Sequence, residues 1–219
     1  MITLSSHSRI AATAALALGL AAGAFAADDA APVSTSAPVP EAAGHGLLGQ
    51  SYVNLGYSYT DFTDTSVAGN SYNFTMNQGV REGLDTLLEY SYLQSTNTDF
   101  GHLNQQVLDV GARAFTNFAG IKPYAEAGVG WVWLHEPLVG HQDSFLWFVG
   151  AGAELQATTD LSFTPFVRMS YASRLDDSRQ WDYGVKSNYW FNDKIGLMAT
   201  LARDNSRDMT YGAGVTIRY

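Results

Sequence analysis

The chain has 219 residues, no cysteine, 21 glycines, 13% aromatic and 15% charged side chains, and a formal net charge of -9. Without cysteine there is no disulfide framework, no thiolate metal site and no cysteine nucleophile, and the acidic balance argues against a nucleic-acid partner. The charged fraction falls well below the about 25% of soluble domains, while a mean hydropathy of -0.08 is not that of a helical membrane protein.

Residues 1–26 read as a secretory signal. Arg9 precedes an Ala/Leu-rich apolar run that ends at the small-x-small site Ala24-Phe25-Ala26. A membrane anchor is the rival reading, but the run is too rich in Ala and Gly for stable spanning. Its removal makes the remaining chain one unit more acidic. Residues 27–46 are a Pro-, Ala- and Ser-containing stretch with no apolar period, expected to be a flexible linker. Residues 47–219 form the one folded domain, and they contain no second apolar run long enough for a membrane helix.

Within that domain the dominant signal has a period of two. Val53, Leu55, Tyr57 and Tyr59 alternate with Asn54, Gly56, Ser58 and Thr60, and Tyr211, Ala213, Val215 and Ile217 alternate with Gly212, Gly214, Thr216 and Arg218. Successive strand residues point to opposite faces, so each segment has one apolar face and one small or polar face. Ten segments follow this rule, at 50–60, 69–81, 84–95, 104–116, 121–134, 144–157, 160–172, 180–191, 194–204 and 208–219. Short connections alternate with longer polar ones, which is the layout of a membrane-spanning antiparallel barrel with an even strand count. The expected fold class is therefore all-β: a transmembrane antiparallel up-and-down β-barrel of ten strands, with eight as the alternative.

The rival is a soluble sandwich or lipocalin-like barrel, with the apolar face inside. Eleven glycines on the small face argue for the inverted arrangement, because glycine weakens a solvated strand yet suits a crowded lumen. The aromatics agree. Tyr57, Tyr59, Tyr72, Tyr90, Trp131, Trp133, Trp147, Tyr171, Tyr183 and Tyr211 fall toward the long-loop ends of their segments, as an interfacial belt does, and Tyr189, Phe191 and Tyr219 fall at the opposite end.

At this point the sequence resembles the small outer-membrane β-barrel proteins of OmpA-like, OmpX-like and opacity type. The resemblance spans about Gly49 to Tyr219, and it is carried by Pro123-Tyr124-Ala125-Glu126-Ala127-Gly128-Val129-Gly130, by Val149-Gly150-Ala151-Gly152-Ala153-Glu154, and by a last strand ending in an aromatic residue. It implies an outer-membrane location with both termini periplasmic, and membrane lipids and lipopolysaccharide as surroundings. It also implies Tyr219 as part of the signal read by the barrel-assembly machinery. Common members have eight strands, so ten departs from them.

The small face carries Glu89, Asp109, Arg113, Glu126, Glu154, Arg168, Lys186 and Arg218. Charges inside a narrow barrel must pair or hold water, and Arg113 and Glu126, flanking one short turn, are placed to meet across a hairpin. The first reading is a salt-bridge network that fills the lumen; a narrow conduit for water or small solutes is the second. Tyr52, Phe115, Tyr124 and Trp190 point inward near the end bearing the termini, where they are expected to narrow it. Ten strands is nearer a filled barrel than a wide channel. His102, His135 and His141 are expected in loops, with no metal-ligand spacing. His141, Asp143, Ser144 and the Asp176-Asp177 pair supply residue types used at enzymatic loop rims, but match no nucleophile-base motif. No cofactor, metal or catalytic site is expected. The loops are acidic at Asp61, Asp64, Asp99, Asp176, Asp177, Asp204 and Asp208, with Arg174, Arg179, Arg203 and Arg207 among them, and divalent-bridged contact with lipopolysaccharide is one use of such loops. The expected role is structural or surface interaction, with solute passage second and an enzyme third.

Overall fold

The structure is a computed structural model that describes residues 46–63, 67–96, 101–118, 120–137, 140–175 and 179–219. The expected signal segment, nearly all of the linker, and Asp64, Asp99, Asp176 and Asp177 lie outside the described residues. Ten antiparallel strands follow one another: β1 (Tyr52–Asp61), β2 (Ala68–Arg81), β3 (Leu84–Ser95), β4 (Asn104–Phe115), β5 (Ile121–Glu136), β6 (Gly140–Gln156), β7 (Leu161–Ala172), β8 (Arg179–Trp190), β9 (Ile195–Asp204) and β10 (Met209–Arg218). Each pairs with its sequence neighbours, and β1 closes on β10 from Tyr52↔Arg218 to Asp61↔Met209, so the sheet is a closed barrel with no free edge. The all-β, ten-strand expectation holds; eight does not.

Register fixes which face each residue takes. Asn54, Ser58 and Thr60 are buried while Leu55 on the other face is 57% exposed, and on β4 Asp109 is 2% and Val110 53% exposed. Most hydrophobic side chains of the strands therefore point away from the barrel axis. Leu55, Val110, Val129, Val167, Leu201 and Val215 form an aliphatic band. Aromatics flank it as cross-strand register partners: Tyr57 with Tyr72 at 5.9 Å between ring centroids, Trp131 with Phe145 at 6.4 Å and Trp147 with Tyr171 at 5.8 Å. Tyr59, Tyr183 and Tyr211 are exposed on the same outward face near the loop end, and Tyr90 lies on it beside Phe74. Tyr189, Phe191 and Tyr219 are exposed near the end that bears the termini, here the terminal end.

Two features differ from the sequence reading. The long connection expected at 135–143 is instead a continuation of the β5–β6 hairpin, paired as far as Glu136↔Gly140. His135, His141 and Asp143 thus lie on strands rather than in a loop, and the two imidazoles stack at 4.3 Å as register partners. The alternation simply runs on past Trp133, and Gly140, at φ +91°, accommodates the turn. At about 3.3 Å per residue, the 16-residue β5 is roughly 20 Å longer than the 10-residue β1. The second difference is inside. Near the loop end, the inner face is not polar throughout: Leu93, Val107, Val132, Leu134, Leu146 and Phe148 meet Phe62, Leu103 and Leu175 from three connections in one apolar cluster. Leucines on the small face are too few to disturb the period, so only their convergence in space distinguishes a core from scattered exceptions.

Candidate functional site: the lumen

Mid-barrel, the inward alternation places ionisable side chains on neighbouring strands at one height. Glu89 and Asp109 are register partners across β3 and β4, and Arg113 and Glu126 across β4 and β5. Arg113 donates from Nε (3.0 Å) and Nη2 (2.7 Å) to Oε2 of Glu126, and its guanidinium lies 4.8 Å from the Tyr124 ring centroid. The other oxygen of Glu126 faces Arg168 Nε at 3.7 Å. Arg168, projecting from β7, reaches Glu89 at 2.6 Å and Asp109 at 3.7 Å, and rests on Phe148, 4.3 Å from its ring centroid. One guanidinium thereby ties β7 to carboxylates of β3, β4 and β5, crossing the lumen rather than following its wall.

Space for these groups comes from glycine. A Cβ on Gly150 would stand 2.9 Å from Oε1 of Glu126, and one on Gly130 would overlap the Asp109 carboxylate. Burying such charges is costly unless each is paired and hydrogen-bonded; the shared Glu126 and the three-way Arg168 supply the pairing with few side chains, while Asp109 Oδ1 is buried without a hydrogen bond among the described residues. Lys186 is set apart: it makes no ion pair among the described residues, and its ammonium lies 5.2 Å from the Phe166 ring centroid. Above the girdle is a cavity of about 240 Å³, with Ser58, Asn73, Thr200 and Thr210 on one side and Asp109, Arg168, Asp182 and Lys186 on the other.

The other two members of the expected charge set stand elsewhere. Glu154 and Arg218 lie at the terminal end, where they bond the backbone of residues preceding β1: Leu47 N donates to Glu154 Oε2 at 2.5 Å, and Arg218 Nη2 donates to Gly46 O at 3.3 Å. Of the expected narrowing residues, Tyr52 and Trp190 pack on Leu47. Phe115 sits beneath Gly49, and Tyr124 belongs with Arg113 in the girdle. Tyr219, at the end of the chain, donates its N–H to Ser51 O at 3.2 Å and its hydroxyl to Gln78 Oε1 at 3.1 Å.

Sequence reasoning missed Asp85, Lys122, Phe148 and Asp182 on the inner face, although the period-two phase points all four inward. It also missed the segment 46–50, which has no period to read. Of the rim residues considered for catalysis, the three that are described do not converge. His141 and Asp143 face outward, whereas Ser144 faces inward, is buried, and accepts a bond from Arg174 N at 3.0 Å. His102 Nδ1 lies 3.1 Å from the Ser95 carbonyl oxygen. No group of three or more His, Asp or Glu side chains arranged to hold a metal occurs among the described residues.

No protein-family model matches the chain, and no curated protein matches it. Several solved structures align with most of the chain. Neisserial surface protein A (NspA) is 13% identical with a TM-score of 0.45, covering 77% of this chain and 96% of that one. The NanC porin is 8% identical with a TM-score of 0.48, covering 76% and 100%. The N-terminal β-barrel domain of Pseudomonas aeruginosa OprF is 16% identical with a TM-score of 0.42, covering 78% and 98%.

Proposed function

We propose that the chain is an integral outer-membrane β-barrel, both termini periplasmic, with a closed lumen and a structural or surface-interaction role exercised through its loop end. Membrane insertion is supported by the outward aliphatic band between two sets of exposed aromatics, since lipid is the solvent in which that surface is stable. On this reading lipids and lipopolysaccharide surround the barrel, Tyr219 contributes to the assembly signal, and no catalytic role is assigned.

One observation carries the closed lumen: Arg168 is held at once by Glu89, Asp109 and Glu126 from three strands, so the guanidinium stands in the path a solute would take. Eight-stranded barrels have interiors just filled by side chains, and wide aqueous channels need about 16 strands. The experiment is planar-bilayer recording with the refolded protein. The expected outcome is an absence of discrete current steps at moderate salt. Regular steps would favour a second reading, a narrow solute conduit, for which the cavity of about 240 Å³ is the relevant observation.

A further inference from the structure

Before β1 begins, residues 46–50 turn into the terminal mouth and are gripped by side chains of five strands. Leu47 N and Leu48 N both donate to Oε2 of Glu154 on β6, at 2.5 and 3.3 Å, and Gly49 N donates to Oδ2 of Asp85 on β3 at 3.0 Å. The carbonyls are met by donors. Lys122 Nζ of β5 bonds Leu48 O at 3.2 Å, Asn77 Nδ2 of β2 bonds Gln50 O at 2.6 Å, and Arg218 Nη2 of β10 bonds Gly46 O at 3.3 Å. A bond from Gln50 N to Leu47 O at 3.2 Å closes the turn. Both leucine side chains are buried, Leu47 against Tyr52 and Trp190.

The fit extends to the glycines. A Cβ on Gly46 would collide with the Glu154 carboxylate, and Gly49 has φ +82° with Phe115 Cζ 3.0 Å from where its Cβ would stand. Gly79 on β2 makes room from the other side, since its Cβ would come within 2.9 Å of Gly49 O. None of these bonds joins one strand's backbone to its neighbour's, so barrel closure does not account for them. Carboxylates aimed at N–H groups, and cations and an amide aimed at carbonyls, are the complement of a peptide backbone.

We propose that the terminal mouth is a peptide-binding site for a short Gly-Leu-Leu-Gly turn, occupied in the native chain by residues 46–50 as an intramolecular stopper. This rests on, and deepens, the closed-lumen reading: the girdle and the stopper are two closures in series, and they are separable. Attachment explains why a few bonds suffice, because a tethered segment acts at an effective concentration on the order of millimolar.

The absence of cysteine permits a clean test. Thr164 lines a small space of about 30 Å³ next to Leu47 and Leu48, so Thr164→Cys in the full-length, refolded protein reports access from below to a charged, hydrophilic thiol reagent. Slow labelling is expected. Adding Leu47→Asp and Leu48→Asp, which bring new carboxylates beside Glu154 and Asp85, is expected to raise the rate at least tenfold. A synthetic peptide of residues 44–51 at millimolar concentration should then slow it again at least threefold, while a scrambled peptide does not. Gly46→Val on the Thr164→Cys background gives a second route to the same increase, and the heat-modifiable gel shift identifies the folded fraction used for every rate. A rate unchanged by either release variant overturns the stopper, and a peptide without effect overturns the binding site. Discrete current steps from a barrel carrying only the release substitutions would refute the closed girdle and leave the stopper, which that variant lacks, standing on its labelling ratio.

Discussion

The lumen wall has two arcs with different chemistry. From β3 to β8 the inner face carries Glu89, Asp109, Arg113, Glu126, Arg168, Asp182 and Lys186. From β9 through β10 and β1 to β2 its middle presents Asn54, Ser58, Thr60, Ser71, Asn73, Thr200, Thr210 and Thr216, with the charged Asp204 and Arg218 only at the loop end and the terminal end. The neutral arc bonds mostly between adjacent strands: Asn54 to Thr216 at 2.9 Å, Asn73 to Ser58 at 3.0 Å, and Thr60 with Thr210 at 2.9 Å, with one longer bond from Thr216 to Asn188 across β9. In the charged arc, Arg168 instead reaches partners two to four strands away. Short hydroxyls and amides span one interstrand gap and rivet the seam where β1 meets β10; long ionised side chains span the lumen and close it. One arc therefore holds the wall together and the other fills the hole.

The largest effect should come from the residue with the most distant partners. Arg168→Met leaves Glu89, Asp109 and Glu126 around an uncharged side chain, and removing one partner from a buried charge network costs about 3–5 kcal/mol. The expected outcome is a loss of that size in denaturant unfolding of the membrane-inserted barrel. With the release substitutions of the terminal stopper added, discrete current steps should appear where neither change alone gives them. A stable, silent barrel from the combined variant would mean that Arg168 neither anchors nor closes the lumen.

A smaller effect is expected at the pair that follows the wall. Arg113 and Glu126 are adjacent-strand partners like those of the neutral arc, but ionised. Charge-assisted hydrogen bonds contribute about 1.5–3 kcal/mol. A double-mutant cycle with Arg113→Met and Glu126→Gln should therefore return a coupling energy in that range, and Arg113→Met alone should leave the wild-type absence of current intact. Coupling below about 0.5 kcal/mol would place this pair with exposed ion pairs, against its burial.

Much of this contrast was legible in the sequence, for a definite reason. A closed antiparallel sheet converts residue parity into inside and outside, so the strand phase alone put Glu89, Asp109, Arg113, Glu126, Arg168 and Lys186 on the lumen face, and the turn between β4 and β5 set Arg113 opposite Glu126. Parity says nothing about chords. That Arg168 meets Glu89 depends on barrel diameter and stagger, which no local pattern carries. The same limit hid the apolar cluster of Phe62, Leu103 and Leu175, supplied by aperiodic connections, and the docking of 46–50, a stretch without a period that the expected boundary at residue 46 divided between linker and barrel. The bonds that Glu154 and Arg218 make to the backbone of residues 46–48 had no signal either, because a peptide inserted at the mouth leaves no trace in strand alternation.

The smallest predicted effect tests the neutral arc. Thr216 is fully buried, accepts from Asn54 at 2.9 Å and donates to Asn188 Oδ1 at 3.2 Å, linking β1, β10 and, across β9, β8. Thr216→Val keeps the shape and deletes the hydroxyl, so Asn54 retains its bond to Val215 O at 3.2 Å and only part of the rung is lost. A neutral hydrogen bond is worth about 1 kcal/mol net, and unfolding free energy should fall by about that amount, with labelling at Thr164→Cys and the absence of current unchanged. A loss several times larger, or any opening of the lumen, would show that the seam also bears on closure, and the division of labour between the arcs would fail.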